Sequence, residues 1–278
     1  MKAALYPNFQ KPNALKCARE VCDILKKSEI EVYVSDDFRK EFSDKPWVMF
    51  EDIDFSAKTS DVVIAIGGDG TILRCAKHLM GTDTMLLGIN TGTLGFMAGL
   101  EAYQLEKLSQ LKTGEYEVSQ RMTLDIILPD GNNFTALNEL CAKSGSSKMC
   151  AFEVYSDGYL IGRYRADGVL FSTPSGSTAY ALSAGGPVIE PDLECIEMTL
   201  ICPHSLFSRA TLFSVERKLC IKPEGSEMHI SVDGGDYIEI EACQQVEIVR
   251  GRHNIKFIDL IGNSFHESLC KKMMKPIK

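Results

Sequence analysis

The 278-residue sequence has ten cysteines but no CxxC pair: Cys17, Cys22, Cys75, Cys141, Cys150, Cys195, Cys202, Cys220, Cys243 and Cys270. Cys75 with His78, Cys202 with His204 and His266 with Cys270 are close in sequence, but two ligands do not make a structural zinc site. No apolar run approaches the length of a membrane helix. The segment "MKAALYPNFQKPNALKCARE" lacks a signal-type apolar stretch, because Pro7, Asn8, Gln10, Lys11 and Pro12 interrupt it. These absences predict a cytoplasmic chain with reduced thiols. Positive charge is also in deficit. A formal net charge of -8 argues against a nucleic-acid partner and against attraction to an anionic membrane. No HExxH occurs, "PSGST" is not GxSxG, and the "KTG" at Lys112 to Gly114 has no SxxK to accompany it.

What is present suits a globular protein. Hydrophobic residues make up 45% and charged residues 24%, ample for the cores of one large or two ordinary domains. The first third alternates strand and helix. "MKAALYP", "EVYVS", "VVIAI" and "TMLLGIN" read as strands, while "NALKCAREVCDILKKS" and "TILRCAKHLM" have helical spacing. The continuous run "VVIAI" marks a strand covered on both faces. This rhythm predicts an α/β domain with a parallel sheet over residues 1–117. Beyond it, "QRMTLDIILPDGNNFTALNELCAK", "AFEVYSDGYLIGRYRADGVLFS" and "HISVDGGDYIEIEA" each carry Asp-Gly between alternating runs, a strong hairpin signal. Residues 118–255 therefore read as a mostly antiparallel β domain. The helical tail "NSFHESLCKKMMK", within 256–278, is expected to pack back on one of the two domains.

Three stretches could carry chemistry. In "DVVIAIGGDGT" a buried strand runs straight into glycines that let backbone N–H groups approach phosphate oxygens at a helix start. The pattern is neither GxGxxG nor the P-loop, since no lysine follows. Asp69 would repel phosphate unless a metal intervenes or unless it holds a hydroxyl beside a bound phosphate chain. The plainer reading is a tight Gly-Asp-Gly turn. The second stretch, "ADGVLFSTPSGSTAYALSAGGPVIEP", is dense in small and hydroxylated residues suited to close approach of a ligand; a packed loop is the alternative. The third is "ALNELC". Asn138 beside Glu139 between apolar neighbours would suit a ribose diol, or would simply cap a strand end.

Taken in order, "GGDGT", "GINTGTLGF", "NE", "DGVLFSTPSGSTAYALSAGGP" and "ICPHSL" resemble the NAD kinase family, of the bacterial type, over about Val62 to Leu206. The resemblance implies phosphorylation of the adenosine-ribose 2′-hydroxyl of NAD by ATP, with polyphosphate as a further possible donor, giving NADP. It implies a two-domain fold with a phosphate-donor α/β domain, an NAD-binding β domain and the site between them. It also implies Mg²⁺ or another divalent metal bound with ATP rather than in a dedicated protein site, and a homo-oligomer, dimer or tetramer. By the same resemblance Asp69 is the catalytic residue that takes the 2′-hydroxyl, and Gly67, Gly68, Gly70 and Thr71 form the phosphate-approaching turn. Phe96 falls at an adenine-contacting position. Asn138 and Glu139 are the ribose-binding pair. Asp167, Thr178, Ala179, Tyr180 and Ser183 line the nicotinamide and adenine ends, and Arg165 is placed to hold phosphate. His204 and His253 receive no role. A lipid kinase sharing the glycine loop and a non-catalytic dinucleotide-binding regulator are the competing readings.

Overall fold

The structure is a computed structural model that describes residues 1–11, 13–92, 95–205, 208–262 and 264–273. Thr93 and Leu94 of "GINTGTLGF", Leu206 of "ICPHSL" and the last residues of the tail helix motif lie outside the described residues.

The chain begins with β1 (Lys2–Pro7), α1 (Ala14–Lys27), β2 (Glu31–Ser35), β3 (Val48–Glu51), α2 (Ile53–Thr59), β4 (Val62–Gly67), α3 (Asp69–His78), β5 (Met85–Asn90), β6 (Leu100–Glu101), α4 (Gln110–Thr113) and β7 (Glu117–Arg121). It continues through β8 (Leu124–Ile127), β9 (Asn133–Ala136), β10 (Glu139–Ser144), β11 (Cys150–Ser156), β12 (Tyr159–Ala166) and β13 (Gly168–Ser172). Then come α5 (Tyr180–Ser183), β14 (Cys195–Ile201), β15 (Thr211–Ser214), β16 (Leu219–Glu224), β17 (Met228–Val232), β18 (Ile238–Ile240) and β19 (Val246–Arg250). It ends with β20 (Ile255–Asp259) and α6 (Ser264–Met273).

Two compact units result: Met1–Gln120 with Ile255–Lys278, and Arg121–Asn254. The first unit holds an eight-stranded sheet ordered β3-β2-β1-β4-β5-β20-β7, with β6 on β5. Strands β3, β2, β1, β4 and β5 pair in parallel. All six residues of β4 are buried, as its unbroken apolar run requires of a strand covered on both faces. Leu5, Val21, Leu25, Ile64, Ile66 and Leu87 anchor the core between the sheet and α1. Helix α1 buries Ala14, Cys17, Ala18, Val21, Cys22 and Leu25, the face its period of 3.6 prescribes. The order places β1 beside β4, so the chain turns to opposite sides of the sheet from these two neighbours. That is the topological switch point, where α/β sheets open a crevice beyond the carboxyl ends of their strands.

The second unit holds two antiparallel six-stranded sheets, β15-β14-β13-β10-β17-β18 and β12-β11-β16-β19-β8-β9. Alternate residues of both enter one core, among them Leu124, Leu140, Phe152, Phe171, Ile196 and Ile248. The three Asp-Gly hairpins form: β8 with β9, β11 with β12 and β17 with β18. One expectation needs correction. "ALNELCAK" does not continue the first hairpin strand, because β9 stops at Ala136 and β10 begins at Glu139 in the other sheet. The pair Asn138–Glu139 thus marks the start of β10 and not the end of a strand. The switch of sheets is held by Asp233, whose carboxylate accepts the backbone N–H groups of Leu137 (2.8 Å), Asn138 (2.8 Å) and Glu139 (3.1 Å).

Candidate functional site

A cleft of about 1150 Å³ lies in the first unit at the switch point. Its walls include Pro7 and Asn8 after β1, Gly67 to Thr71 after β4, Asn90 after β5, Arg74 and His78 on α3, and Lys272 on α6. The glycine turn is shorter than the sequence suggests, since Gly68 caps α3 and Asp69 is already its first residue. Thr71 is buried, and its hydroxyl accepts the Asn8 side-chain amide at 3.2 Å, tying the β1 and β4 loops together. Gly67 is required by the fold, because a Cβ there would come within 2.4 Å of Thr71 Oγ1. Gly68 and Gly70 are not: a Cβ on Gly68 would meet nothing within 4 Å, and one on Gly70 only Arg74 at 3.9 Å. Internal packing therefore leaves these two positions bare, which suits a ligand that approaches the backbone closely.

Asp69 is half-buried, and its carboxylate is held by residues far along the chain. Oδ2 accepts the Phe96 N–H at 2.9 Å and Oδ1 accepts the Met97 N–H at 3.2 Å. A carboxylate has about four lone-pair sites, so each oxygen keeps one for an outside donor. The approach needs Gly95, whose hypothetical Cβ would lie 2.0 Å from Asp69 Oδ1. Gly95→Ala is accordingly expected to push the carboxylate aside and to lower kcat by about 10²-fold, the scale of an ångström of misplacement. A wild-type kcat for Gly95→Ala would show that this contact does not set the carboxylate's position.

The second unit gathers the other predicted residues around the start of β10. Asn138 and Glu139 are both buried, yet Asn138 Oδ1, Glu139 Oε2 and Ser172 Oγ have no hydrogen-bond partner among the described residues. Glu139 stands opposite Ser172 in the β10–β13 register, so two of these atoms belong to paired residues. Buried polar atoms without partners are rare in native proteins and point to an absent ligand or water. Burial, reinforced by the charge of Asp233, pushes the Glu139 carboxyl up to about 7.

The hydroxyl-rich segment divides into two sets. Thr173 Oγ donates to Leu137 O at 2.6 Å and accepts Gly176 N at 3.1 Å. Ser177 Oγ donates to Pro174 O at 2.7 Å and accepts Ile189 N at 3.0 Å. These two buried hydroxyls shape the loop. Thr178, Ala179 and Tyr180 are half-buried and Ser183 is exposed. A short 3₁₀ turn over Ser175–Thr178 and the four-residue α5 carry them. Tyr180 packs beside Leu170 and Ala181, on the opposite face of the sheet from the main core. The Lys143 ammonium sits 4.5 Å above the Tyr180 ring. Gly176 is required here, because a Cβ would come within 2.1 Å of Asn138 O. Gly186 approaches Glu197, a fully buried carboxyl raised by burial, with Thr199 Oγ1 donating to its Oε1 at 2.7 Å.

Arg165 is exposed on the edge strand β12, where its carbonyl accepts the His204 N–H at 2.8 Å. Asp167 is exposed at the β12–β13 turn, with its backbone bonded to Ile201 O and Ser144 N. Phe96 lies in the first unit, half-buried, its ring 6.1 Å from that of Phe265. Several contributors escaped the sequence reading: Asn8, Gly95, Asp233 and Lys272. Each acts across a long sequence separation. Gly95 lies within "GINTGTLGF" and Asp233 opens the hairpin turn "DGG", whereas Asn8 and Lys272 carry no local signal.

Comparison with known proteins adds a second line. Residues 4–116 match the ATP-NAD kinase N-terminal domain and residues 137–260 the ATP-NAD kinase C-terminal domain. The chain is 32% identical to the NAD kinase of Lachnoclostridium phytofermentans, with 98% of each chain covered. It is 33% identical to that of Acetivibrio thermocellus, covering 98% of this chain and 97% of the other. Among solved structures it resembles an Archaeoglobus fulgidus NAD kinase in complex with ATP, with a TM-score of 0.80 and 26% identity over 99% of this chain and 100% of that one. Yeast NADH kinase complexed with NADH shares the fold, with a TM-score of 0.91 and 24% identity over 100% of this chain and 89% of that one.

Proposed function

The chain belongs to the NAD kinase family, and on that premise we propose that it transfers a phosphoryl group from ATP to the 2′-hydroxyl of the adenosine ribose of NAD, producing NADP. The observation that carries the reading is the doubly held Asp69 carboxylate beside the open glycine backbone at the switch-point cleft. The ribose 2′-oxygen attacks the γ-phosphorus, the bond from phosphorus to the ADP oxygen breaks, and the hydroxyl proton passes to Asp69. Phosphoryl transfer asks mainly for an oriented nucleophile and neutralised charge. In a loose transition state the hydroxyl becomes acidic late, so a positioned carboxylate suffices to accept the proton.

The donor is assigned to the first unit, with Gly67, Gly68, Gly70 and Thr71 at its phosphates. The NAD is assigned chiefly to the second unit. Asn138 and Glu139 take ribose hydroxyls, supported by their unpartnered buried atoms. Thr178, Ala179, Tyr180, Ser183 and Asp167 line its ends, Arg165 reaches phosphate and Phe96 supplies an aromatic contact. Mg²⁺ or another divalent metal bound with ATP would screen the phosphate charges. The phosphates of ATP are assigned as the ligands of that ion, with no dedicated protein site. A homo-oligomer, dimer or tetramer, is supported by Tyr159, Leu160 and Ile161, consecutive exposed apolar residues on the edge strand β12. A cytoplasmic location is supported by ten cysteines that are all free thiols.

The test is a matrix of donors, ATP and polyphosphate, against acceptors, NAD and NADH, with diacylglycerol as a competitor. NADP formed from ATP and NAD is the expected product. Phosphorylated lipid without NADP would remove the reading.

A further inference from the structure

Helix α6 returns to the first unit with Phe265, Ser268 and Lys272 on one face, at i, i+3 and i+7. Phe265 and Ser268 are buried. The Phe265 ring lies 6.1 Å from the Phe96 ring, and the Lys272 Nζ lies 3.8 Å from the Phe96 ring centre. Phe96 is also the residue whose N–H holds Asp69 Oδ2. Lys272 thus stands over the same residue that clamps Asp69, and it lines the same cleft as Gly67, Gly68, Asp69 and Gly70.

The two adjacent lysines of this helix differ. Lys271 pairs with Glu267 at 2.7 Å, one turn earlier on the outer face. Among the described residues no carboxylate lies within ion-pair distance of Lys272. Lys272 is exposed along the cleft, and its ammonium rests on the aromatic ring. Partial burial there lowers its pKa, with the charge of Asp69 opposing the shift. Arg74, a second cation of the cleft, already reaches the Thr71 hydroxyl at 3.5 Å.

We propose that Lys272 is a further catalytic residue, supplying the protein's own positive charge to the phosphoryl group transferred beside Asp69. The inference rests on the NAD kinase reading above. As the bond from the 2′-oxygen to phosphorus forms and the bond to ADP breaks, the equatorial oxygens of the moving group accept hydrogen bonds from the Lys272 ammonium. Lys272 stays protonated throughout, and the hydroxyl proton goes to Asp69. The Phe96 ring holds the ammonium by its quadrupole while no phosphate is bound, so that little reorganisation is needed on binding.

The experiment compares Lys272→Met, Lys272→Arg and Lys271→Met with wild type. Lys272→Met keeps the contact with the ring and removes only the charge. It is expected to lower kcat by roughly 10²–10³-fold, the usual worth of one fixed donor to a developing charge, with the NAD Kd and Tm of wild type. Lys272→Arg is expected to recover most of the loss, and Lys271→Met to lose nothing. A wild-type kcat in Lys272→Met, or equal losses in Lys271→Met, overturns the proposal. A second measurement uses the native protein. MgATP should shield Lys272, but not Lys271, from an amine-reactive label read by peptide mass spectrometry. Equal labelling with and without MgATP overturns the proposal, and this result decides alone if Lys272→Met is unstable. Failure of the NAD kinase reading would look different, since wild type itself would then form no NADP.

Discussion

Asp69→Asn is expected to bind NAD and to lose kcat by roughly 10²–10⁴-fold, the usual worth of a general base. The substitution keeps size and removes the only group in the reading that can take the 2′-hydroxyl proton. It also removes a negative charge facing phosphates, so NAD binding should hold or improve. A purely structural Gly-Asp-Gly turn would make the opposite forecast, because Asn tolerates the same backbone conformations and activity would survive. The fold refines the comparison. Both Asp69 oxygens accept a backbone N–H, from Phe96 and Met97. Asn has one acceptor oxygen, and its amide would face the other N–H. That unpaired contact costs on the order of 1–3 kcal/mol, so a modest fall in Tm belongs to the prediction. The deciding pair of measurements is kcat and the NAD Kd, since a retained Kd certifies the folded site. Near-normal turnover would end the catalytic assignment.

Glu139→Gln should make the protein more stable at alkaline pH while weakening its hold on NAD. The Glu139 carboxyl is pushed up to about 7 by burial and by Asp233, from 4.5 in an exposed chain. Between these values the folded state binds a proton that the unfolded chain has released. The stabilisation from this group is therefore complete below pH 4.5, falls as pH rises toward 7, and is gone above it. At about 1.36 kcal/mol per pKa unit the loss is about 3 kcal/mol. Gln stays neutral and does not incur it. Urea unfolding from about pH 5 to pH 8 should show wild type declining and Glu139→Gln nearly level, the curves meeting at low pH. Glu197, also raised by burial, contributes equally to both proteins and cancels in the difference. Meanwhile KM for NAD should rise by the 1–3 kcal/mol of a lost ribose hydrogen bond. Stability gained where function is lost marks a residue kept for its ligand. Parallel pH curves would remove the electrostatic account, and an unchanged KM would reduce the pair to a feature of the strand start.

Local patterns accounted for much of this protein. The apolar run before "GGDGT" specified a buried parallel strand, because only a strand covered on both faces tolerates five apolar positions in succession. Asp-Gly steps specified three hairpins, because few residues accept the backbone of a tight turn. The adjacent polar residues Asn138 and Glu139 stood out against apolar neighbours, and both are buried. All of these signals act over a few residues, where propensity and periodicity operate. The structure alone decided what holds the reacting groups. Asp69 is oriented by N–H groups 27 and 28 residues away, and Asn138 by a carboxylate 95 residues away. Lys272 reaches the Phe96 ring from the far end of the chain. Nor could sequence show that Thr173 and Ser177 are spent on the loop itself while Glu139 Oε2 is left without a partner. Hydrogen-bond partners, burial and the pKa shifts that follow are set by packing between distant segments, which no local pattern encodes.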